Sequence, residues 1–261
     1  MTIARVLSVA GSDSGGGAGI QADIRAITAL GGFAMTAVTA VTVQDTRAVY
    51  AVHPVPAAIV TEQIRVVLAD LGADAVKCGM LGDGATAAAV AGALADWPGL
   101  PLVLDPVLRA SSGDALLAGA ARDVLAPLIA RAALVTPNLA EAEALCGFAV
   151  GDVEAMARAG RAIRAMGAGA VLVKGGHLAG EVLTDVLVDA EGVATFADAR
   201  IATRHLHGTG CTLSSAIATH LARGRALREA VAAGRAYLRA AIVAAPGLGK
   251  GQGPLGTAWM A

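Results

Sequence analysis

Short apolar runs alternate with helical patterns along the whole chain, and this alternation limits the folds open to it. Most of the runs lack a polar residue at every second position, as is typical of strands that are covered on both faces. Repeated strand–helix units predict an α/β fold, a three-layer α/β/α domain with a mainly parallel central sheet. We predict strands at 5–10, 34–41, 49–52, 75–78, 102–104, 134–135, 170–173, 184–188 and 193–196. We predict helices at 18–30, 57–71, 86–96, 120–128, 139–145, 153–166, 210–223 and 227–244.

The last two predicted strands differ from the others. They are joined through Ala190-Glu-Gly192, and a glycine at that point suits a tight turn. We therefore predict an antiparallel hairpin at this end of the sheet.

The composition argues against several classes of function. Hydrophobic residues make up 56% of the 261 residues and charged residues 16%, so we expect one domain over residues 1–261. The net charge is −1 and no lysine or arginine run is present, which argues against nucleic acid as a partner. The most apolar stretch, 27–43, contains Gly31-Gly32, so a helix end, a turn and a strand explain it better than a membrane span.

The cysteines indicate a reducing compartment. Cys78, Cys146 and Cys211 are odd in number, widely spaced and without a C-x-x-C pair. This pattern predicts free thiols and a cytoplasmic protein.

The first predicted strand leads into a glycine-rich loop. In a parallel sheet, ligands bind beyond the carboxyl ends of the strands, so this loop lies where a ligand is expected. Its sequence is Gly11-Ser-Asp-Ser-Gly-Gly-Gly-Ala-Gly19, and glycines allow the backbone to approach a ligand closely. Position 20 is isoleucine and no Walker lysine follows, so neither common nucleotide motif is met. A plain turn between strand and helix is the alternative.

Two charged residues follow later strands. Asp105 stands directly after strand 102–104 and before a proline, where a carboxylate suits Mg²⁺ but also suits a simple turn. Lys174 ends strand 170–173 and precedes two glycines, from where its ammonium group could reach phosphate oxygens.

Asn138 and Glu141 open a helix after strand 134–135. An asparagine at the N-cap with a glutamate three residues later predicts a capping box. The same two side chains could also organise a hydrated Mg²⁺, because this ion keeps several of its waters. The sequence leaves both roles open.

Two further residues suit a flat heterocycle. Gln44 ends the second strand and carries both a donor and an acceptor, so it could bind a ring with an amino group and ring nitrogens. Met80 follows strand 75–78 and could line such a pocket, although a methionine that fills the core is an equal alternative.

The most specific pattern is His207-Gly-Thr-Gly-Cys-Thr-Leu-Ser214. Small residues lead into helix 210–223, so the N–H groups of Gly208, Thr209, Gly210 and Cys211 would form an anion hole for a phosphoryl group in transfer. A cysteine at a helix N-terminus is expected to have a lowered pKa, so its thiolate could accept a proton from a substrate hydroxyl. These features predict the reaction centre of a small-molecule kinase.

Taken together, these segments resemble the hydroxymethylpyrimidine/phosphomethylpyrimidine kinases of thiamine biosynthesis, in the ribokinase-like superfamily. The resemblance runs from end to end. It is carried by Ala10-Gly-Ser-Asp-Ser-Gly-Gly-Gly-Ala-Gly-Ile-Gln-Ala-Asp23, Gly79-Met-Leu, Asp105-Pro-Val, Ser112-Gly-Asp114, Thr136-Pro-Asn-Leu-Ala-Glu141, Val173-Lys-Gly-Gly-His177, His207-Gly-Thr-Gly-Cys-Thr-Leu-Ser214 and Gly251-Gln-Gly-Pro-Leu255.

The resemblance implies a ribokinase-like domain that uses ATP and Mg²⁺ and forms a homodimer. Such enzymes phosphorylate 4-amino-5-hydroxymethyl-2-methylpyrimidine and then its monophosphate. The resemblance places Gln44 at the position that recognises the pyrimidine. It places Cys211 where many members of the superfamily carry a catalytic aspartate. It also assigns four further residues to the substrate pocket: Gly11, Asp23, Met80 and Val107.

The hypothesis at this point is a phosphoryl transfer at the start of helix 210–223. ATP phosphates would lie near Lys174, Asp105 and Thr209, with Gly208 and Gly210 stabilising charge. Mg²⁺ would be held by Asp105 and, through water, by Asn138 and Glu141. Cys211 would take the hydroxyl proton or only position the hydroxyl.

Three alternatives differ in their ligands. A pyridoxal or pyridoxine kinase would phosphorylate a hydroxymethyl group on a different flat ring. A nucleotide-binding protein without catalysis would bind ATP but release no ADP in response to substrate. A nicotinamide dehydrogenase would bind its cofactor at the glycine-rich loop, where the motif fits poorly.

Overall fold

A computed structural model of the chain describes residues 3–108 and 121–257. At its centre lies a nine-stranded sheet in the order β3-β2-β1-β4-β5-β6-β7-β8-β9. The strands are β1 (Arg5–Ser12), β2 (Phe33–Gln44), β3 (Val49–Pro54), β4 (Ala75–Cys78), β5 (Leu102–Leu104), β6 (Leu134–Val135), β7 (Val171–Val173), β8 (Val182–Asp189) and β9 (Gly192–Ala199). The helices are α1 (Gly19–Ala29), α2 (Ala57–Asp70), α3 (Gly84–Leu94), α4 (Ala121–Arg131), α5 (Leu139–Cys146), α6 (Val153–Arg164), α7 (Thr209–Ala222) and α8 (Leu227–Val243).

The central part of the sheet is parallel. The order β2-β1-β4-β5-β6-β7 pairs in parallel throughout, so the carboxyl ends of these six strands lie at one edge. β3 pairs with β2 in the antiparallel direction, and β8 and β9 form an antiparallel extension beyond β7. This arrangement brings residues that are distant in sequence to a common edge.

Two helical layers cover the sheet because neighbouring residues of a strand point to opposite faces. On one face, Leu7 packs in a core with residues of α2 to α6, including Ile64 and Leu128. On the other face, Val6 packs in a core with residues of α1, α7 and α8, including Ile217. The layer that contains α1 and α7 carries the glycine-rich loop and the His207 segment.

The three-layer, mainly parallel α/β fold is confirmed. The bounds of β4, β5 and β6 are those predicted, and the other strands are longer or shorter by up to three residues at an end. The hairpin is also confirmed, since Asp189 pairs with Gly192, whose φ of +118° suits a glycine. Segment 27–43 forms a helix end, a turn at Gly31 and β2, as expected. Predicted helix residue 120 and segment 112–114 lie outside the described residues.

Among the helices of residues 3–108 and 121–257, none combines the length and the apolarity that crossing a membrane requires.

Candidate active site

Asp105 and Lys174 meet at the carboxyl edge of the sheet. They follow β5 and β7, on either side of β6, and Lys174 Nζ lies 2.8 Å from Asp105 Oδ1. Thr136, which follows β6 between them, donates its hydroxyl to the same oxygen at 3.1 Å. Asp105 is 2% exposed and the Lys174 side chain 15%, so this ion pair lies at the floor of a cleft rather than on the surface.

The start of α7 lies against this pair. A Cβ atom on Gly210 would come within 3.1 Å of Asp105 Oδ2 and 3.3 Å of Lys174 Nζ, so only a glycine leaves both groups unhindered. Gly208 is the N-cap of α7 with a φ of +86°, and a Cβ there would collide with the carbonyl oxygen of Gly17. The two glycines therefore let the helix start approach both the ion pair and the glycine-rich loop.

Three of the four N–H groups predicted to be free at the start of α7 are free in the described part of the structure. Thr209 donates its N–H to the carbonyl oxygen of Leu206 at 3.3 Å. Within the described chain, no acceptor bonds the N–H groups of Gly208, Gly210 or Cys211. Three unpaired donors at a helix N-terminus, beside a lysine, form a site that favours an anion.

The expectation of a lowered pKa at Cys211 was wrong. Burial in the cleft raises the pKa of the thiol to about 11, and the carboxylates of Asp23 and Asp105 act in the same direction. Lys77 and the N–H of Gly19 oppose this effect without overcoming it. The helix N-terminus alone would favour a thiolate at Cys211. Removal of the thiol from water by the surrounding protein has the larger effect and favours the protonated form.

Asp23, which the resemblance assigned to the substrate pocket, is buried in the protein interior. Its carboxylate forms an ion pair with Lys77, at 2.9 Å from each oxygen, and neither side chain has any exposed surface. Ser8 and Ser215 donate their hydroxyl groups to the same carboxylate. Burial alone would lower the pKa of Lys77, but the charge of Asp23 raises it above its ordinary value, so the lysine is charged. The structure thus places Asp23 behind the wall of the cleft.

The other residues expected to bind substrate surround the ends of β1, β2 and β4. Gly11 and Met80 are in contact, since a Cβ on Gly11 would lie 3.2 Å from Met80 Cε. Met80 is 8% exposed, and Val107 is partly exposed next to Asp105. Gln44 lines a cavity of about 330 Å³ together with Asp45, Thr46, Arg47, His207, Gly251 and Gln252.

Sequence reasoning gave no role to two residues that the structure joins to Gln44. His207 Nε2 lies 3.3 Å from Gln44 Nε2 and 2.9 Å from Asp13 Oδ2. Asp13 also accepts hydrogen bonds from the N–H groups of Gly15, Gly17 and Ala18. The pattern of an aspartate followed by glycines two and four residues later could have indicated such a loop, but its contact with position 207 could not have been found.

Asn138 and Glu141 form the predicted capping box of α5. Each side chain accepts the N–H of the other residue, at 3.0 and 2.8 Å. Glu141 is 5% exposed, and burial raises its pKa to about 7, with Lys174 opposing and Asp105 reinforcing the shift. The Asn138 amide oxygen and one Glu141 oxygen are thus both engaged in the cap, and the Glu141 carboxylate also lies within the field of the ion pair.

A cation that bridges phosphates would find few protein ligands here. Within the described residues, no three histidine, cysteine, aspartate or glutamate side chains form a cluster that could hold a metal ion alone. Asp105 and Glu141 offer two buried carboxylates next to an anion-binding helix start. This hard-oxygen donor set fits Mg²⁺, which typically takes one or two carboxylates and completes its shell with phosphate oxygens and water.

Comparisons with known proteins agree along the whole chain. A family model described as phosphomethylpyrimidine kinase matches residues 13–256. A hydroxymethylpyrimidine/phosphomethylpyrimidine kinase from Rhizobium meliloti (strain 1021) is 51% identical over 253 residues, which cover 95% of each chain.

Two solved structures are similar in fold. The phosphomethylpyrimidine kinase of Clostridium difficile 630 superimposes with a TM-score of 0.80 at 38% identity, covering 90% of this chain and 98% of that one. An ADP complex of Bacillus subtilis pyridoxal kinase superimposes with a TM-score of 0.91 at 32% identity, covering 99% and 98%. In sequence the chain is thus more similar to these two pyrimidine kinases than to the pyridoxal kinase, and it shares its fold with both solved structures.

Proposed function

This chain belongs to the phosphomethylpyrimidine kinase family, and from that membership we propose that it phosphorylates 4-amino-5-hydroxymethyl-2-methylpyrimidine with ATP, and then phosphorylates the resulting monophosphate. The hydroxymethyl oxygen attacks the γ-phosphorus of ATP, the bond from that phosphorus to the bridging oxygen breaks, and ADP leaves. In the second step, an oxygen of the monophosphate is the attacking atom. Both reactions use the same acceptor end of the cleft.

The observation that supports this proposal is the position of Gly210 against Asp105 and Lys174. A phosphoryl group at this point would meet the N–H groups of Gly210 and Cys211, the dipole of α7 and the Lys174 ammonium group. Positioning and charge stabilisation supply most of the catalysis in phosphoryl transfer, because its transition state is loose. These groups provide both at one point.

We assign Mg²⁺ to Asp105 and Glu141, with Asn138 acting only through water. When bound, the ion would neutralise charge on the ATP phosphates. Lys174 pairs with Asp105 at 2.8 Å. The lysine can therefore turn from the carboxylate towards a phosphate oxygen while it remains in the same cleft.

The pyrimidine is assigned to the side of the cleft formed by Gly11, Gln44, Met80 and Val107. Met80 packs against Gly11 and forms an apolar wall, and Gln44 lines a cavity. Asp23 supports this wall from behind through its ion pair with Lys77.

For Cys211 the structure favours positioning over proton transfer. With a pKa near 11, the thiol is almost wholly protonated at neutral pH. A loose transition state needs little removal of the proton from the attacking oxygen. The hydroxyl proton can then pass to a phosphate oxygen or to water after the phosphorus–oxygen bond has formed.

Pyridoxal is a second candidate substrate, because the structure with a TM-score of 0.91 is that of a pyridoxal kinase. Pyridoxal also offers a hydroxymethyl group on a flat ring. The 51% identity to a pyrimidine kinase makes the pyrimidine the preferred substrate.

The exposed edge of the sheet supports a homodimer. β3 is the edge strand, and on the β2–β3 pair Val43 is 58% and Tyr50 59% exposed, with Val41 and Val52 exposed nearby. An apolar patch on an exposed strand edge is unfavourable in water unless another surface covers it. We assign this surface to contact with a second copy of the chain. We place the protein in the cytoplasm. In light scattering, a Val43→Asp, Tyr50→Asp variant should have half the mass of the wild type.

The direct test of the function is product analysis with the free pyrimidine alcohol, its monophosphate and pyridoxal, each with MgATP. We expect the monophosphate and the diphosphate from the two pyrimidines, and a kcat/KM for pyridoxal that is lower by about two orders of magnitude, as for a ring that leaves polar groups unpaired. Turnover of pyridoxal alone would assign the chain to the second candidate. ATP binding without ADP release from any of them would contradict the kinase function.

A further inference from the structure

The Asp13 carboxylate determines where the proton of the His207 ring lies. Asp13 accepts N–H groups from Gly15, Gly17 and Ala18 at 2.8 to 2.9 Å. Burial alone would raise its pKa, but the hydrogen bonds from His207 and from these N–H groups hold it below the usual value. Asp13 is therefore ionised at neutral pH and can only accept, so His207 Nε2, at 2.9 Å, must carry a hydrogen.

A protonated Nε2 constrains the amide of Gln44. With Gln44 Nε2 on this side, 3.3 Å from His207 Nε2, a donor would face a donor. The oxygen and nitrogen of an amide have the same shape, so their assignment follows from the surrounding hydrogen bonds. With the amide turned over, the Gln44 oxygen faces the His207 N–H and accepts it as the longer arm of a three-centre hydrogen bond, whose shorter arm runs to Asp13.

Thr42 supports the same orientation independently. Its hydroxyl donates to the carbonyl oxygen of Ser12 at 2.9 Å, so towards Gln44 it can only accept. With Gln44 Oε1 on this side, 3.3 Å from the Thr42 hydroxyl oxygen, an acceptor would face an acceptor. Turning the Gln44 amide converts this contact also into a hydrogen bond, from the amino group to the Thr42 oxygen.

We propose that His207, held by Asp13, is a positioning residue that fixes the Gln44 amide with its oxygen towards His207 and its amino group towards Thr42, and thereby sets which ring the kinase accepts. This inference rests on the proposed function and deepens it. A glutamine without such partners can turn over and accept either order of donor and acceptor. With its amide held in this orientation, Gln44 offers a ligand one oxygen lone pair and one N–H, and the two cannot exchange positions.

The fixed order discriminates between two ring types. A 4-aminopyrimidine presents a donor, the amino group, beside an acceptor, the ring nitrogen. A 4-oxopyrimidine presents an acceptor beside an N–H donor, the reverse order. Because the hydroxymethyl group must reach the start of α7, the ring cannot turn over to correct the mismatch. The fixed orientation of the Gln44 amide therefore favours binding of the amino compound over its deaminated counterpart.

The test compares kcat/KM for 4-amino-5-hydroxymethyl-2-methylpyrimidine and its 4-oxo analogue. The wild type should prefer the amino compound by about a hundredfold or more, as expected for a site with fixed polar groups. His207→Leu removes the N–H, and the preference should fall at least about tenfold, mainly through KM for the pyrimidine, with KM for MgATP unchanged. His207→Gln places an amide N–H near the position of Nε2 and should restore most of the preference. Leu71→Ala, at the exposed C-cap of α2, is the control.

A second readout is independent of turnover. In ¹⁵N-labelled protein, the His207 ring should carry its hydrogen on Nε2, and Asp13→Asn should change this signal. An unprotonated Nε2, or a preference that is equal in wild type and His207→Leu, would overturn the proposal. If the wild type phosphorylates neither pyrimidine, the proposed function fails instead, and the NMR result still decides the orientation of His207.

Discussion

The Lys77 ammonium nitrogen lies 2.9 Å from both oxygens of the Asp23 carboxylate, and neither side chain is exposed to solvent. The two residues are 54 positions apart and join α1 to β4 beneath the start of α7. Ser215 of α7 donates to the same carboxylate, so three elements meet at one charge. This pair supports the cleft from below.

Breaking this pair should cost stability. Lys77→Met leaves the Asp23 charge buried and unpaired, and we expect the free energy of unfolding to fall by about 3–5 kcal/mol. Chemical denaturation in urea measures this change. The double variant Lys77→Met, Asp23→Leu removes both charges and should recover part of the loss. If Asp23 acted mainly by contact with substrate, Asp23→Asn would raise KM without loss of stability, which would contradict the supporting role.

Gly210→Ala should impair catalysis more than stability. The added methyl group would lie 3.1 Å from Asp105 Oδ2 and 3.3 Å from Lys174 Nζ, so both side chains must shift. We expect kcat/KM to fall by about ten- to a hundredfold, because small displacements of reacting groups reduce the rate by such factors. Gly92→Ala in α3 is the control, because its Cβ meets no atom within 4 Å. That variant should keep full activity and gain up to about 1 kcal/mol in stability. Equal kcat/KM values for the two variants would contradict the proposed position of the phosphoryl group.

Metal affinity should depend on pH through Glu141. Burial raises the pKa of this carboxyl to about 7, and a cation binds only its ionised form. Affinity should therefore weaken as pH falls below 7, by up to about tenfold per pH unit. We would titrate Mn²⁺ into protein saturated with a non-hydrolysable ATP analogue between pH 6 and 8.5. Glu141→Gln keeps the capping contact with Asn138, and its Mn²⁺ affinity should change less with pH. Since titration of the nucleotide is common to both proteins, parallel curves would exclude Glu141 as a ligand.

Cys211→Ala should remain an active kinase. Since the pKa of the thiol is about 11, only about one molecule in 10⁴ carries a thiolate at pH 7. We expect kcat to fall by less than about a hundredfold, the lower limit for loss of a general base. Single-turnover kinetics would measure the chemical step, with Cys211→Ser as a polar control. A loss of several thousandfold in Cys211→Ala, with a rate that rises with pH in the wild type, would show that the thiolate is the base.

His220 should make the fold sensitive to acid. It is 4% exposed, and within the described structure neither ring nitrogen has a hydrogen-bond partner. Burial lowers its pKa to about 4, and Arg225 and Arg223 add to this shift. The unfolded chain binds a proton below about pH 6.5 and the folded chain only near pH 4, so stability falls as pH decreases between these values.

The measurement for this prediction is the free energy of unfolding of wild type and His220→Phe at pH 7.5, 6 and 5. The contribution of His220 to the loss should be at most about 2 kcal/mol between pH 7.5 and 5, and it should be absent from the variant. His177→Phe, at an exposed position in the turn after β7, should behave as the wild type. Identical pH dependence in His220→Phe and wild type would contradict the assignment.

The sequence by itself determined the order and type of the elements. Buried strands such as β4, β5 and β6 are short runs of apolar residues with polar residues directly after them, and such runs predict their own bounds. The capping box of Asn138 and Glu141 and the turn at Gly192 are equally local, because the atoms that bond lie within four residues of each other. The position of Gln44, Asp105 and Lys174 at strand ends follows from the same reasoning.

Only the tertiary structure decided which of these residues meet and in which protonation state. His207 and Asp13 are 194 positions apart, and Lys77 and Asp23 are 54 apart, so no local pattern joins them. For Cys211 the local argument gave the wrong direction, because a helix N-terminus favours a thiolate whereas burial among carboxylates favours the thiol. Local backbone geometry is encoded within a few residues. Desolvation and charge, in contrast, depend on every chain segment that packs around a group.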